Sequence, residues 1–187
     1  NYIVNADDLG MTPGTNKAIF DCHDNGYINS TSIMTNCDYF NEAIHGLKLR
    51  KDLKVGIHLN LTYGKSLNSS LIFSDTNGFF NLNYLQLFYK SIFSNHFLEK
   101  VEDEFELQIL KAIQNNIDIS HLDSHRHIHL IPNIYKIVYG LSTKYNIGRV
   151  RLVNENIFHS FKLTKKINFF MNGGLLKYFL LKIFTIF

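Results

Sequence analysis

Strand-like and helix-like stretches take turns along this chain, and that alternation is the tightest constraint on its fold. Apolar or alternating segments at Tyr2-Ile3-Val4, Ser30 to Thr35, Val55 to Leu61, His121 to Leu130 and Gly148 to Val153 read as strands. Between them the spacing predicts helices from Thr12-Pro13 to Asn25-Gly26, from Phe40 to Arg50, from Tyr84 to Phe97, from Glu99 to Asn116 and from Pro132 to Tyr145. Thr12 is a capping hydroxyl, Pro13 suits a first helical position, and Asn25-Gly26 is a stop signal. Val101, Phe105, Ile109 and Ile113 repeat every four residues and predict an apolar helix stripe. The Ser/Asn/Gly-rich run from Thr62 to Asn83 reads as a long loop of the kind that covers a substrate. Strand and helix in alternation imply a parallel sheet clad by helices.

The length of 187 residues suits one domain, 1–187, with a substantial core. A net charge of +3 with scattered Lys and Arg lacks the basic stripe that nucleic acid requires, so that partner is excluded. Cys22 and Cys37 form no motif and imply no disulfide framework, which makes a reducing, cytoplasmic setting the default expectation. No signal peptide is visible at Asn1. The apolar tail from Leu175 to Phe187 is broken by Lys177 and Lys182 and is too short to span a bilayer comfortably. It reads as a core helix whose partner elements are missing, so the expectation is a domain that lacks its C-terminal part, with a membrane anchor disfavoured.

The run HLDSHRHIHL, His121 to Leu130, carries the chemistry. In one extended strand His121, Asp123, His125, His127 and His129 would share a face, with Leu122, Ser124, Arg126, Ile128 and Leu130 on the other. Val55 to Leu61 repeats the pattern, with Val55, Ile57, Leu59 and Leu61 opposite Gly56, His58 and Asn60. Two strands with metal-type residues on one face and aliphatics on the other favour a barrel over an open sheet, with the site in the lumen. The fold expectation is therefore α/β, an irregular (β/α) barrel, TIM-barrel-like and incomplete at the C-terminus.

Asp7-Asp8 after the first strand, His58 in the third and His125 in the fourth can converge where strands end. A carboxylate with two imidazoles binds a divalent ion and leaves positions for water and substrate. Same-face neighbours stand about 6.5–7 Å apart along a strand, so the outer histidines cannot all reach one ion unless the chain bends. His125 is the expected ligand, with Asp123 or His127 as orienter or proton carrier. No G-x-S-x-G or Walker-type loop competes.

NADDLGMTPGTNKAI, STSIMTN, VGIHLNLT and HLDSHRHIHLIP together resemble the YdjC-like carbohydrate deacetylase family, over roughly Tyr2 to Val153. The resemblance implies a (β/α)-barrel hydrolase that removes acetyl from N-acetylated sugars of the chitooligosaccharide type. It implies a divalent metal ion, Mg or Zn, held by Asp8, His58 and His125. Asp7 would be the general base, His127 a candidate acid, and Asp123 and His129 supporting groups around the ligands. An N-acetylated sugar is the expected partner, and a homodimer is left open. Two other readings stand beside it: a different metal hydrolase, such as a phosphoesterase or amidohydrolase, and a non-catalytic sugar-binding relative.

Overall fold

The computed structural model describes residues 2–152. Four parallel strands, β1 (Asn5–Leu9), β2 (Ser30–Ile33), β3 (Lys54–Leu59) and β4 (Ile119–Ser124), lie in the order β1-β2-β3-β4. The helices between them are α1 (Pro13–Asp24), α2 (Phe40–Leu47), α3 (Tyr84–Phe93), α4 (Asn95–Gln114) and, after β4, α5 (Pro132–Lys144). Every residue of β2, and all of β3 after Lys54, is buried, as expected of parallel strands covered on both faces. Val150 pairs in parallel with Leu122, and Leu122 N donates to Arg149 O at 2.9 Å, so the predicted strand at Gly148 begins as a single bridge beside β4. The sequential strand order agrees with a barrel wall. The described residues form a parallel sheet clad by helices and do not themselves close a barrel. The predicted C-terminal tail helix lies outside the described residues.

The sequence signals locate α1 well. Thr12 Oγ1 accepts from Thr15 N at 3.0 Å, Pro13 opens the helix, and Asn25 caps its end. Asn16, wholly buried, ties α1 to its surroundings. Its Oδ1 accepts from Gly10 N at 2.7 Å, and its Nδ2 donates to Tyr39 O and Glu42 Oε1. Gly10 sits at φ 92, and a Cβ there would stand 3.1 Å from Met34 O, so only glycine turns comfortably between β1 and α1.

Several boundaries move. Tyr2, Ile3 and Val4 are exposed, and the first strand is Asn5–Leu9, which places Asp7 and Asp8 inside it rather than after it. The apolar prefix misleads because the β1 edge is paired through Asn5 and Ala6, opposite Ser30 and Thr31. Ser94 ends α3 and caps α4, its Oγ accepting from Phe97 N at 3.1 Å, so α4 starts earlier than the predicted Glu99. The buried stripe of α4 is Val101, Phe105, Ile109 and Ala112, while Ile113 is exposed. Steps of four overshoot a 3.6-residue turn, and by the fourth member the stripe has rotated one position back.

The loop 62–83 has its own scaffold, with antiparallel bridges pairing Lys65 with Phe79 and Ser74 with Phe80. Glu104 on α4 is wholly buried beneath it. Its carboxylate accepts from Ser66 Oγ, Leu67 N and Asn68 N at 2.8–3.1 Å, and from Gln108 Nε2 at 2.8 Å. Buried donors stripped of their acceptor cost more than the bonds contribute. Glu104→Ala should therefore lower the unfolding free energy by about 3 kcal/mol in urea titration. It should also speed hydrogen exchange at the Leu67 and Asn68 amides. Unchanged protection at both amides would contradict this anchoring.

Candidate metal centre

The site is assembled by two shifts of register. Ala6 pairs with Thr31 and Leu9 with Ile33, so three steps on β1 match two on β2. The extra residue falls at Asp7-Asp8, and Asp8 takes a left-handed backbone at φ 70. In a regular strand the two carboxylates would point to opposite faces. With the bulge, both approach His58: Asp8 groups with His58 and His125, and Asp7 groups with His58 and Asp123, the potential ligand atoms in each set lying within 4.8 Å of one another. The second shift lies between Val55 and Ile57 of β3, which pair with Ile119 and Leu122 of β4. It sets His58 directly opposite Asp123. It also lays the His121 ring over Gly56, where an added Cβ would fall 2.3 Å from His121 Cε1. Glycine at 56 is thus the condition for a histidine ring on that face.

Asp8 Oδ1 lies 2.9 Å from His125 Nδ1 and 3.2 Å from His58 Nε2. On its other side His58 Nδ1 donates to Asp123 Oδ1 at 2.7 Å. Ser32 Oγ donates to Asp123 Oδ2 at 2.8 Å and lies 3.2 Å from His121 Nε2. Asn5 Nδ2 donates to Asp7 Oδ1 and to Ser32 Oγ, at 2.8 and 2.9 Å. One polar line thus runs from Asp7 through Asn5, Ser32, Asp123 and His58 to Asp8 and His125. His58 and Asp123 are buried, whereas Asp8 is part-exposed at the strand ends. Two imidazole nitrogens aimed at one carboxylate oxygen, one of the rings fixed from behind by a second carboxylate, form a donor set that fits a divalent cation.

Residues 1–181 match the family model described as YdjC-like protein. The chain belongs to the YdjC-like family. It is similar to a carbohydrate deacetylase of Thermoanaerobacter pseudethanolicus, 36% identical over 150 residues that cover 78% of this chain and 57% of the relative. It is also similar to carbohydrate deacetylase 1 of Listeria innocua, at 35% identity covering 86% and 64%. A carbohydrate deacetylase of Clostridium beijerinckii is 30% identical, covering 94% and 71%. The chain therefore spans about three fifths of the length of the first two relatives. Among solved structures, one provisionally assigned as a cellobiose-phosphate cleavage protein from Enterococcus faecalis superposes with a TM-score of 0.70 at 28% identity, covering 83% of this chain and 59% of that one.

In this YdjC-like chain the histidine run is not one strand. β4 stops at Ser124, and His125–Leu130 forms a 3-10 turn broken by Arg126 (φ 55) and His127 (φ 55). The two left-handed residues end the alternation, so His121, Asp123, His125, His127 and His129 do not share a single face. Asp123 and His125 reach the cluster around His58. His129 is buried on the turn, its N donating to Ser124 Oγ at 2.9 Å and its ring bonded to the same hydroxyl. It buttresses the turn that presents His125. His127 stacks edge-on against His129, with centroids 6.2 Å apart, and neither belongs to the ligand groups found among the described residues. His121 belongs to the histidine run singled out from the sequence, whereas Ser32 and Asn5 carry no prior signal except that they are polar residues on strands where a packed core would favour aliphatics.

Electrostatically, His58 is the pivot. Burial works to lower its pKa, but the Asp123 and Asp8 carboxylates outweigh burial and push it up to about 9. Burial works to raise Asp123, and the His58 hydrogen bond overrides it, bringing the carboxyl down to about 2. Hydrogen bonds from His125 and then His58 hold Asp8 well below the usual carboxylate range. Without metal, His58 is thus an imidazolium clamped between two carboxylates. Its raised pKa contributes stability in full below pH 6.5, lost as pH climbs through about 9. The depressed Asp123 contributes above pH 3.8, lost as pH falls through about 2. In chelator-treated protein the urea midpoint should fall between pH 6.5 and 9, and His58→Gln should flatten that decline. An equally steep decline in His58→Gln would refute the assignment.

Among the described residues no helix is long and apolar enough to cross a membrane.

Proposed function

We propose that this chain is the metal-bearing part of a carbohydrate N-deacetylase, a hydrolase that removes acetyl from N-acetylated sugars of the chitooligosaccharide type. The observation that carries the reading is the convergence of His58 Nε2 and His125 Nδ1 on Asp8 Oδ1 at strand ends, in a family whose curated members are named carbohydrate deacetylases. Its sequential parallel strands suit an irregular (β/α) barrel whose lumen holds the site.

Asp8, His58 and His125 are the proposed ligands. Two imidazoles with one carboxylate suit zinc better than magnesium, which prefers oxygen donors and retained waters. A bound divalent cation supplies Lewis-acid polarisation of the acetamide carbonyl and a more acidic water. The chain's own residues supply the remainder. Asp123 holds the His58 ring by Nδ1 and so directs Nε2 at the site. Asp7, oriented by Asn5 and brought to the same side as Asp8 by the bulge, takes a proton from the attacking water. His127, carried on the turn beside His125, gives a proton to the departing amine in this reading.

Incubating the protein and Zn²⁺ with N,N′-diacetylchitobiose should release acetate, and His125→Ala and Asp7→Asn should each lower the rate at least about 100-fold. Asp123→Asn should leave the fold intact and weaken zinc affinity about 10–100-fold by calorimetry. Acetate release that survives His125→Ala, or hydrolysis of p-nitrophenyl phosphate in place of deacetylation, would overturn the reading.

A further inference from the structure

One exposed aromatic ring stands beside the cluster, on a main chain held by buried side chains. The Tyr63 ring centroid lies 6.2 Å from that of His125, tilted by 58°, and the residue is 40% exposed. Its main chain is gripped on both sides. Tyr63 N donates to Asn60 Oδ1 at 3.1 Å, while Tyr63 O accepts from Asn60 Nδ2 at 2.5 Å and from Asn36 Nδ2 at 3.0 Å. Asn60 is wholly buried and is itself locked, its N donating to Gln108 Oε1 at 3.0 Å and its O accepting from Gln108 Nε2 at 2.8 Å. Gln108 in turn donates to Glu104 Oε1 at 2.8 Å.

Burying Asn60, Gln108 and Glu104 has a desolvation cost that core packing alone does not require. The arrangement spends it on fixing the loop that leaves β3, the strand that also carries His58. The outcome is a tyrosine whose main chain is fixed and whose ring is half-open to solvent next to His125. A hydrophobic core has no use for a half-open ring, but a ligand does, because a preorganised aromatic face binds without the entropy cost of ordering a loop. The ligand must offer a flat apolar face close to a group that reaches the cluster. A pyranose does so: one face of the ring is lined by C–H bonds, and a ring acetamide extends from its edge.

Resting on the deacetylase reading, we propose that Tyr63 is the sugar-recognition residue of this site, its ring packing against the pyranose that bears the acetamido group while the buried Asn36–Asn60–Gln108 bonds hold it in register with His125. Tyr63 thereby sets affinity for the sugar, not the rate of bond cleavage.

The chain contains no tryptophan, so Tyr63→Trp places a single tryptophan at the proposed contact, excited at wavelengths where the tyrosines do not absorb. Tyr139→Trp, on exposed helix α5, provides the control. Titration of each zinc-loaded protein with N,N′-diacetylchitobiose should give a saturable emission change in Tyr63→Trp and none in Tyr139→Trp. In acetate release, Tyr63→Ala should raise KM about tenfold with kcat within about twofold, and Tyr63→Phe should keep KM near the wild-type value. Wild-type acetate release with unmoved Tyr63→Trp emission, or an unchanged KM in Tyr63→Ala, overturns this inference and leaves the deacetylase reading standing. Absence of both acetate release and emission change overturns the two together.

Discussion

Everything at this site depends on the clamping of one imidazole between two carboxylates. His58 has Asp123 at 2.7 Å on Nδ1 and Asp8 at 3.2 Å on Nε2. A buried ring in that position has only two stable conditions: protonated on both nitrogens, or protonated on Nδ1 with a cation facing Nε2. The proton and the cation are alternatives for the same charge. The geometry that gives the metal-free protein a stable ion pair is therefore also the geometry that keeps the ring aimed at a metal, with Asp123 fixing its tautomer in either condition.

That clamp needs an irregular backbone. A regular parallel sheet would send Asp7 and Asp8 to opposite faces and would leave His58 staggered from Asp123. The extra residue in β1, with Asp8 left-handed, and the shift between β3 and β4 remove both obstacles. The left-handed pair Arg126–His127 then bends the chain immediately after His125. Left-handed backbone at Asp, Arg and His has an energetic cost, and it persists because the surrounding pairing over-determines it. Gly56 supplies the remaining permission, leaving space for His121 beside the same carboxylate. The bulge at Asp7-Asp8 and the left-handed Arg126 and His127 lie at the C-terminal ends of β1 and β4, where the side chains of the site meet.

Much of this architecture is readable from sequence because it rests on local rules. The cap at Thr12-Pro13, the stop at Asn25-Gly26 and the alternating strand from Val55 are all properties of near neighbours. The meeting of Asp8, His58 and His125 is readable too, because parallel strands bring their C-terminal ends to one side. What is not readable depends on partners distant in the chain. Asn60 reads as an ordinary strand residue until Gln108, 48 positions later, takes both of its backbone groups. Asp8 carries no local mark of its bulge, since the extra residue is defined only against β2. The expected histidine face fails for the converse reason: alternation presumes extension, and the two left-handed residues that end it are not glycines.

The central claim is that Asp8, His58 and His125 address a single cation. A zinc K-edge absorption spectrum of the zinc-loaded protein tests it most directly. The account predicts scattering from two imidazoles and an oxygen donor, with one imidazole lost in His58→Gln and the other in His125→Gln. A metal environment without imidazole scattering, or one unchanged by both substitutions, would contradict it.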